Sequence, residues 1–245
     1  MSSLLLVLFF VIHGVGVPIQ YTNPAQWAAQ YPDIPYITWR SEDCTMSNKN
    51  IPLIWRNELP QGDCDDGRPL LLYNEPHYKS QGNMSPAEAA EFAMQHQDWN
   101  GPIYCCGVFY NDNGWAWFQK FIELYDGRLD GIHLHVYMAS WSDDNNLYEW
   151  GRRWREVADQ NGWDIIISEW SSPGNSQKET IERNKNTLPA IQNVFRPSAM
   201  FYFSWNYGWI NSDLSDNDGS LTPVGDWFFE TRSTMPVMWL ARVSS

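Results

Sequence analysis

Short runs of apolar and β-branched residues recur along the chain, each closed by polar or turn-forming residues. They are GVPIQY, IPYITWR, IPLIWRN, RPLLLYNE, PIYCCGVFY, LDGIHLHVY, DIIISEW and AMFYFSWN. Most are near-continuously apolar, the mark of strands buried on both faces in a parallel sheet covered by helices. Between the later runs the period changes. SPAEAAEFAMQHQ opens with Ser85 and Pro86, a capping hydroxyl followed by a first-turn proline, and continues in good helix formers. WAWFQKFIELY and LYEWGRRWREVADQN place apolar residues at helical spacing. The pattern predicts an α/β fold, a compact (β/α)8 TIM-type barrel in a single domain with its first helices reduced. A doubly wound open sheet would share the alternation, but its phosphate turn is missing, since neither G-x-G-x-x-G nor G-x-x-x-x-G-K occurs.

At the N-terminus, Leu4 to Ile12 is apolar yet too short to span a bilayer. It resembles the core of a secretory signal, with the small residues around Gly14 to Gly16 as a cleavage region. No Lys or Arg precedes it, and the competing expectation is that these residues begin a buried first strand. Export makes the expected localisation secreted or extracytoplasmic, with residues 1–16 as signal segment and 17–245 as the barrel domain. Cys44 and Cys64 flank a segment that a disulfide could close, whereas Cys105 and Cys106 are adjacent, and neighbouring cysteines seldom pair. No C-x-x-C is present, so the cysteines are expected to be structural or idle rather than zinc ligands.

With 245 residues and 43% apolar composition the chain can bury one large core. Its 29 acidic against 16 basic residues give a formal charge of −13, which repels nucleic acid and anionic membrane surfaces. A phosphate-rich partner, nucleic acid or membrane surface, is therefore not expected, and the chain is expected to act as a monomer. Fifteen Trp and twelve Tyr exceed the needs of an ordinary core, and flat aromatic faces suit the apolar faces of sugar rings.

In a barrel of this kind function gathers at the C-terminal ends of the strands. Those ends carry Asn74-Glu75-Pro76, then His133, His135 and Tyr137, then Glu169-Trp170, then Trp205-Asn206. Positions 133, 135 and 137 alternate by two and share one strand face. Two carboxylates on separate strands are the minimum apparatus for cleaving a glycosidic bond: one protonated to help the leaving oxygen depart, one ionised to attack or to activate water. The acid's pKa is expected to be raised by apolar and negative neighbours, and the nucleophile to be held charged by hydrogen bonds from Tyr or Arg. Pro76 is expected to end the ladder and keep Glu75 extended.

The stretch LLLYNEPHYKSQGNMSPAEAAEFA, with Gln81, Asn83, Ser85 and Pro86 following the Asn-Glu-Pro, resembles the strand-to-helix segment of glycoside hydrolase family 128. GIHLHVY is similar to that family's His-x-Tyr strand, and DIIISEW to its strand ending in Ser/Thr-Glu-aromatic. Order and spacing agree from about residue 70 to residue 205. The resemblance implies Glu75 as acid/base and Glu169 as nucleophile, Asn74 on a sugar 2-hydroxyl, His135 and Tyr137 organising the site, and Trp205 as an aromatic floor under the sugar. It implies a retaining endo-β-glycosidase on β-1,3-glucan, with no cofactor and no metal. Residues 1–69 match poorly.

Two other readings remain open at this stage. The His133-x-His135 pair could hold a transition metal in a barrel hydrolase, with His77 and His96 as weakly placed third ligands. A non-catalytic carbohydrate-binding protein would keep the aromatic bowl without turnover. Under either sugar-binding reading Trp39, Trp55, Trp115, Trp117, Trp141 and Trp209 are candidate platforms, and Arg40 and Arg56 could reach the bowl.

Overall fold

The computed structural model describes residues 11–18, 23–39, 47–58, 64–138, 144–208 and 211–234. Its strands are β1 (Ile12–Gly16), β2 (Tyr36–Ile37), β3 (Asn50–Ile51), β4 (Leu53–Ile54), β5 (Leu70–Leu72), β6 (Ile103–Phe109), β7 (Gly131–Tyr137), β8 (Asp164–Ser171) and β9 (Ala199–Tyr202). All pair in parallel, in the order β3-β2-β1-β9-β8-β7-β6-β5-β4. The two ends of that order, β3 and β4, are separated in the chain by Pro52 alone. The sheet therefore curls round on itself as an α/β barrel in one domain. IPLIWRN, expected as one strand, is two because Pro52 has no N–H to give the ladder, although its carbonyl still accepts from Leu71 at 2.9 Å.

The first strand starts earlier than GVPIQY suggested. β1 is hydrogen-bonded to β2 on one side and β9 on the other, and its ladder ends ahead of Pro18. Residues 12–16, placed by the sequence reading inside a signal segment, thus form a strand in the barrel wall.

Side chains alternate between two apolar layers, as the pleat requires. Ile37, Leu53, Leu71, Tyr104, Ile166 and Phe201 pack together inside the barrel. Leu70, Leu72, Ile132, Leu134 and Ile165 face outward onto the helices. The helices are α1 (Pro24–Gln30), α2 (Pro86–Ala93), α3 (Asp112–Leu124), α4 (Asp144–Asn161), α5 (Gln177–Phe195) and α6 (Pro223–Thr234). α2 begins where Ser85-Pro86 predicted. The Ser85 hydroxyl oxygen accepts from the Glu88 N–H at 3.2 Å, and the Glu88 carboxylate accepts the Ser85 N–H at 2.8 Å, a complete capping box.

Cys105 and Cys106, expected not to pair, are joined by a disulfide. The peptide bond between them is cis and brings their Cα atoms to 3.1 Å. Cys64 is also disulfide-bonded; Cys44, its expected partner, lies outside the described residues, as do Arg40, Trp141 and Trp209. Among the described residues no helix is long and apolar enough to cross a membrane.

Candidate active site

The site is built where β5 stops. The strand ends at Leu72, and Tyr73 and Glu75 both take left-handed backbone angles, φ 73° and 42°. Glu75 is therefore not extended, contrary to the expectation drawn from Pro76. Proline disfavours only the right-handed helical region at the preceding residue, and here tertiary bonds select the left-handed one. The Glu75 N–H donates to the Gly107 carbonyl at 2.9 Å, and the Glu75 carbonyl accepts from the Tyr78 N–H at 2.9 Å. Gly107 is itself left-handed, φ 60°, at a bulge where the β6 register against β7 shifts. Such bulges re-aim side chains next to active sites.

β7 and β8 bring up the other half. Their register also shifts between Leu134 and His135, which sets Glu169 directly opposite His135. The His135 Nδ1 atom lies 3.0 Å from Glu75 Oε1 and 3.2 Å from Glu169 Oε2. The Tyr137 hydroxyl donates to Glu169 Oε2 at 2.5 Å. Glu169 Oε1 accepts the indole N–H of Trp39, which follows β2. A Cβ on Gly16 would fall 2.3 Å from the Trp39 ring, so glycine there is what lets the indole lie across β1. Carboxylate oxygens of Glu75 and Glu169 approach within 4.8 Å of each other.

The electrostatics follow from this packing. Burial raises the pKa of Glu169, helped by the Glu75 charge, and outweighs His135 and the hydrogen bonds from Tyr137 and Trp39. The expected tyrosine donor is in place and favours the charged carboxylate, while burial moves its pKa the other way. Burial pulls His135 down, yet the charges of Glu169 and Glu75 win and its pKa is raised. Burial, then the Glu169 charge, pushes the Tyr137 hydroxyl well up, so it stays a donor.

Asn74 is buried beside Glu75, its amide donating to Gln81 Oε1 at 3.3 Å. Trp205 is not in the site. It is 3% exposed and packs edge-on against Trp27, Tyr31 and Phe229, on the outer side of the wall between α1 and α6. The expectation took Trp205 as a strand-end residue and, from the family resemblance, as the floor under the sugar, but β9 ends at Tyr202. Its place beside the carboxylates is taken by Phe203, whose ring lies 5.1 Å from Trp39 and 5.7 Å from Tyr137. Phe203 and its neighbour Tyr207, ring centroids 5.1 Å apart, were missed from sequence. Inward-facing Phe201 two positions earlier was the available signal for Phe203.

His133 cannot serve the metal reading. Its Nε2 donates to the Leu72 carbonyl at 2.8 Å and its Nδ1 meets the Ser168 hydroxyl at 2.9 Å, while burial lowers its pKa to about 3. Both ring nitrogens of this neutral imidazole are engaged. Among the described residues the grouping of donors close enough for a cation is Glu75, His135 and Glu169, in which one imidazole nitrogen already faces both carboxylates.

Fold and site together define a barrel enzyme with a facing pair of carboxylates on separate strands. Residues 26–228 match the family described as the glycosyl hydrolase catalytic core, and the chain belongs to that family: it is a glycoside hydrolase. Solved structures share the fold. An endo-β-1,3-glucanase of family 128 subgroup I from Amycolatopsis mediterranei, in complex with laminaritriose, superposes with a TM-score of 0.69 at 18% identity, covering 91% of this chain and 99% of that one. A subgroup II endo-β-1,3-glucanase from Sorangium cellulosum gives 0.66 at 19% identity, covering 91% and 98%. A curdlan-specific subgroup III exo-β-1,3-glucanase from Blastomyces gilchristii, in complex with glucose, gives 0.67 at 18%, covering 88% and 96%. A comparison with curated proteins found no match.

Proposed function

We propose that the protein is a retaining endo-β-glycosidase acting on β-1,3-glucan by double displacement. The observation that carries this is the approach of the Glu75 and Glu169 oxygens within 4.8 Å. An approach this close suits the separation of about 5 Å used by retaining enzymes better than the roughly 6.5–9.5 Å of inverting ones. Glu169 attacks the anomeric carbon while Glu75 gives its proton to the departing glycosidic oxygen. Glu75 then takes a proton from water, the water oxygen bonds to the anomeric carbon, and Glu169 leaves with its electron pair. Tyr137, Trp39 and His135 orient Glu169 and stabilise its charged form. The laminaritriose bound by the Amycolatopsis enzyme supports the choice of substrate. The protein is further proposed to act as a secreted monomer, any leader being cut ahead of Ile12 so that β1 survives.

The test is incubation with laminarin, curdlan, cellulose, mannan, xylan and chitosan, product sizes being read by chromatography and the first-formed anomer by NMR. The expected result is a ladder of β-1,3 oligosaccharides released with retained configuration, and near-complete loss of turnover in Glu169→Gln and Glu75→Gln. Inverted products, or full activity in either variant, would overturn the mechanism.

A further inference from the structure

We infer that Tyr207 is a sugar-stacking platform at a subsite beside the reacting bond, held in position by the buried carboxylate of Asp213. The inference rests on the glycan-hydrolase reading above and adds a substrate contact to it. Four large apolar side chains stand exposed among the described residues: Met94, Leu124, Tyr148 and Tyr207. Of these, Tyr207 joins the aromatic wall of the site. Its ring rests on Phe203, which touches Trp39 and Tyr137, the two groups bonded to Glu169. Tyr207 also lies near enough for its hydroxyl to act electrostatically on Tyr137. It is 39% exposed, with Phe203 packed against its ring, beside the groups that hold Glu169.

The loop carrying it is held from beneath. Asp213, itself buried, accepts the Tyr207 N–H at 2.9 Å through Oδ1 and the Gly208 N–H at 2.8 Å through Oδ2. Its Oδ1 also takes the Ser204 hydroxyl at 3.2 Å. Gly208 has φ 89°, a conformation that suits glycine. A buried carboxylate spent on two consecutive backbone N–H groups fixes the loop before any ligand arrives. The ring is thus presented with little ordering left to do on binding. Amphipathic aromatic rings are suited to the apolar faces of pyranose rings, while charged side chains would hold water there.

Kinetics of Tyr207→Ala, Tyr207→Phe and wild type, on laminari-oligosaccharides of increasing length, test this. Tyr207→Ala is expected to raise KM on the longer substrates about 5- to 10-fold, the size of one aromatic contact, with kcat nearly kept. Tyr207→Phe, which keeps the face and loses the hydroxyl, is expected to behave like wild type. Unchanged KM at every length in Tyr207→Ala overturns the proposal, as does a fall in kcat with KM unmoved. Affinity gel electrophoresis of Glu169→Gln, with and without Tyr207→Ala, over the polysaccharide panel separates this proposal from the substrate reading. If the wild type cleaves a polymer other than β-1,3-glucan, the substrate reading fails. The subsite then stands only if Tyr207→Ala weakens retardation by that polymer. A protein that neither cleaves nor is retarded by any of the panel overturns both.

Discussion

The indole N–H of Trp39 is bonded to a carboxylate oxygen of Glu169, 130 positions further along the chain. Burial and the charge of Glu75 raise the Glu169 pKa above its ordinary 4.5, and the Trp39 and Tyr137 donors pull against that rise. Removing the indole in Trp39→Phe deletes a bond to the charged form. The acidic limb of the kcat/KM profile is therefore expected to move to higher pH. Turnover at neutral pH is expected to fall about 10- to 100-fold, matching the roughly 1.5–3 kcal/mol of a hydrogen bond to a charged group. pH-rate profiles of the two proteins check this; coincident limbs would remove Trp39 from the role of tuning Glu169.

Gly107 is the backbone anchor of Glu75, and no side chain fits there. A Cβ would meet the Tyr73 carbonyl oxygen at 2.6 Å and His133 Cε1 at 2.9 Å, at a left-handed φ of 60°. Gly107→Ala is expected to lose about 1–3 kcal/mol of stability from backbone strain. Displacing the carbonyl that holds Glu75 is expected to lower kcat far more than the remaining folded fraction explains. Urea denaturation and kcat measured on the same preparation separate the two effects.

His13 gives the acid side of the stability curve a defined origin. It lies on β1, buried, with the Gln192 amide 3.2 Å from its Nε2, and burial followed by the Arg232 charge lowers its pKa from 6.5 to about 4. Between those values the unfolded chain binds a proton that the native state does not. The contribution of His13 to stability therefore falls as pH drops from about 6.5 towards 4 and levels off below. His77, lowered to about 4 by burial, acts in the same sense. His135, raised by its carboxylate neighbours, acts oppositely, stabilising below 6.5 and losing that contribution as pH climbs through its folded value. In His13→Gln the difference between urea midpoints at pH 7 and pH 4.5 is expected to shrink; an unchanged difference would show that His13 does not titrate on unfolding.

β1 ties the two flanking strands of the barrel together through bonds that include Ile12 N–H to Ser198 O at 2.9 Å and Val15 N–H to Pro35 O at 3.1 Å. A chain beginning at Val17 leaves both neighbours with unpaired backbone groups and is expected not to fold. One beginning at Val11 is expected to show the circular dichroism and melting of the full chain. If the shorter chain folds and cleaves glucan, β1 is dispensable and cleavage near Gly16 becomes admissible.

Much of the wall was legible because each strand from β5 to β9 is a buried parallel strand, and continuous apolar runs such as LLL and IIIS report burial on both faces directly. α2 was legible to its first residue, since a capping box is a local event within Ser85 to Glu88. IPLIWRN was misread as one strand, and GVPIQY was set too late in the chain, because each turns on where a proline interrupts the ladder. At the site, Glu75, His135, Tyr137 and Glu169 could be picked out because strand ends and a two-residue alternation mark them. Trp205 could not be placed, because β9 ends at Tyr202 and the face its ring takes is set by contacts with Trp27, Tyr31 and Phe229, which are remote in sequence.

By itself the sequence determined the strands from β5 to β9, the helices α2 to α4 and which acids stand at strand ends, since period, capping and burial pattern are properties of neighbouring residues. Tertiary structure alone decided the left-handed turn at Glu75, the bulges at Gly107 and His135, the capture of Glu169 by Trp39, and the outward course of Trp205. Each of these depends on a hydrogen bond or ring contact between segments that are neighbours only once the barrel has closed. The environment that sets the charge of a buried carboxylate is made by such contacts.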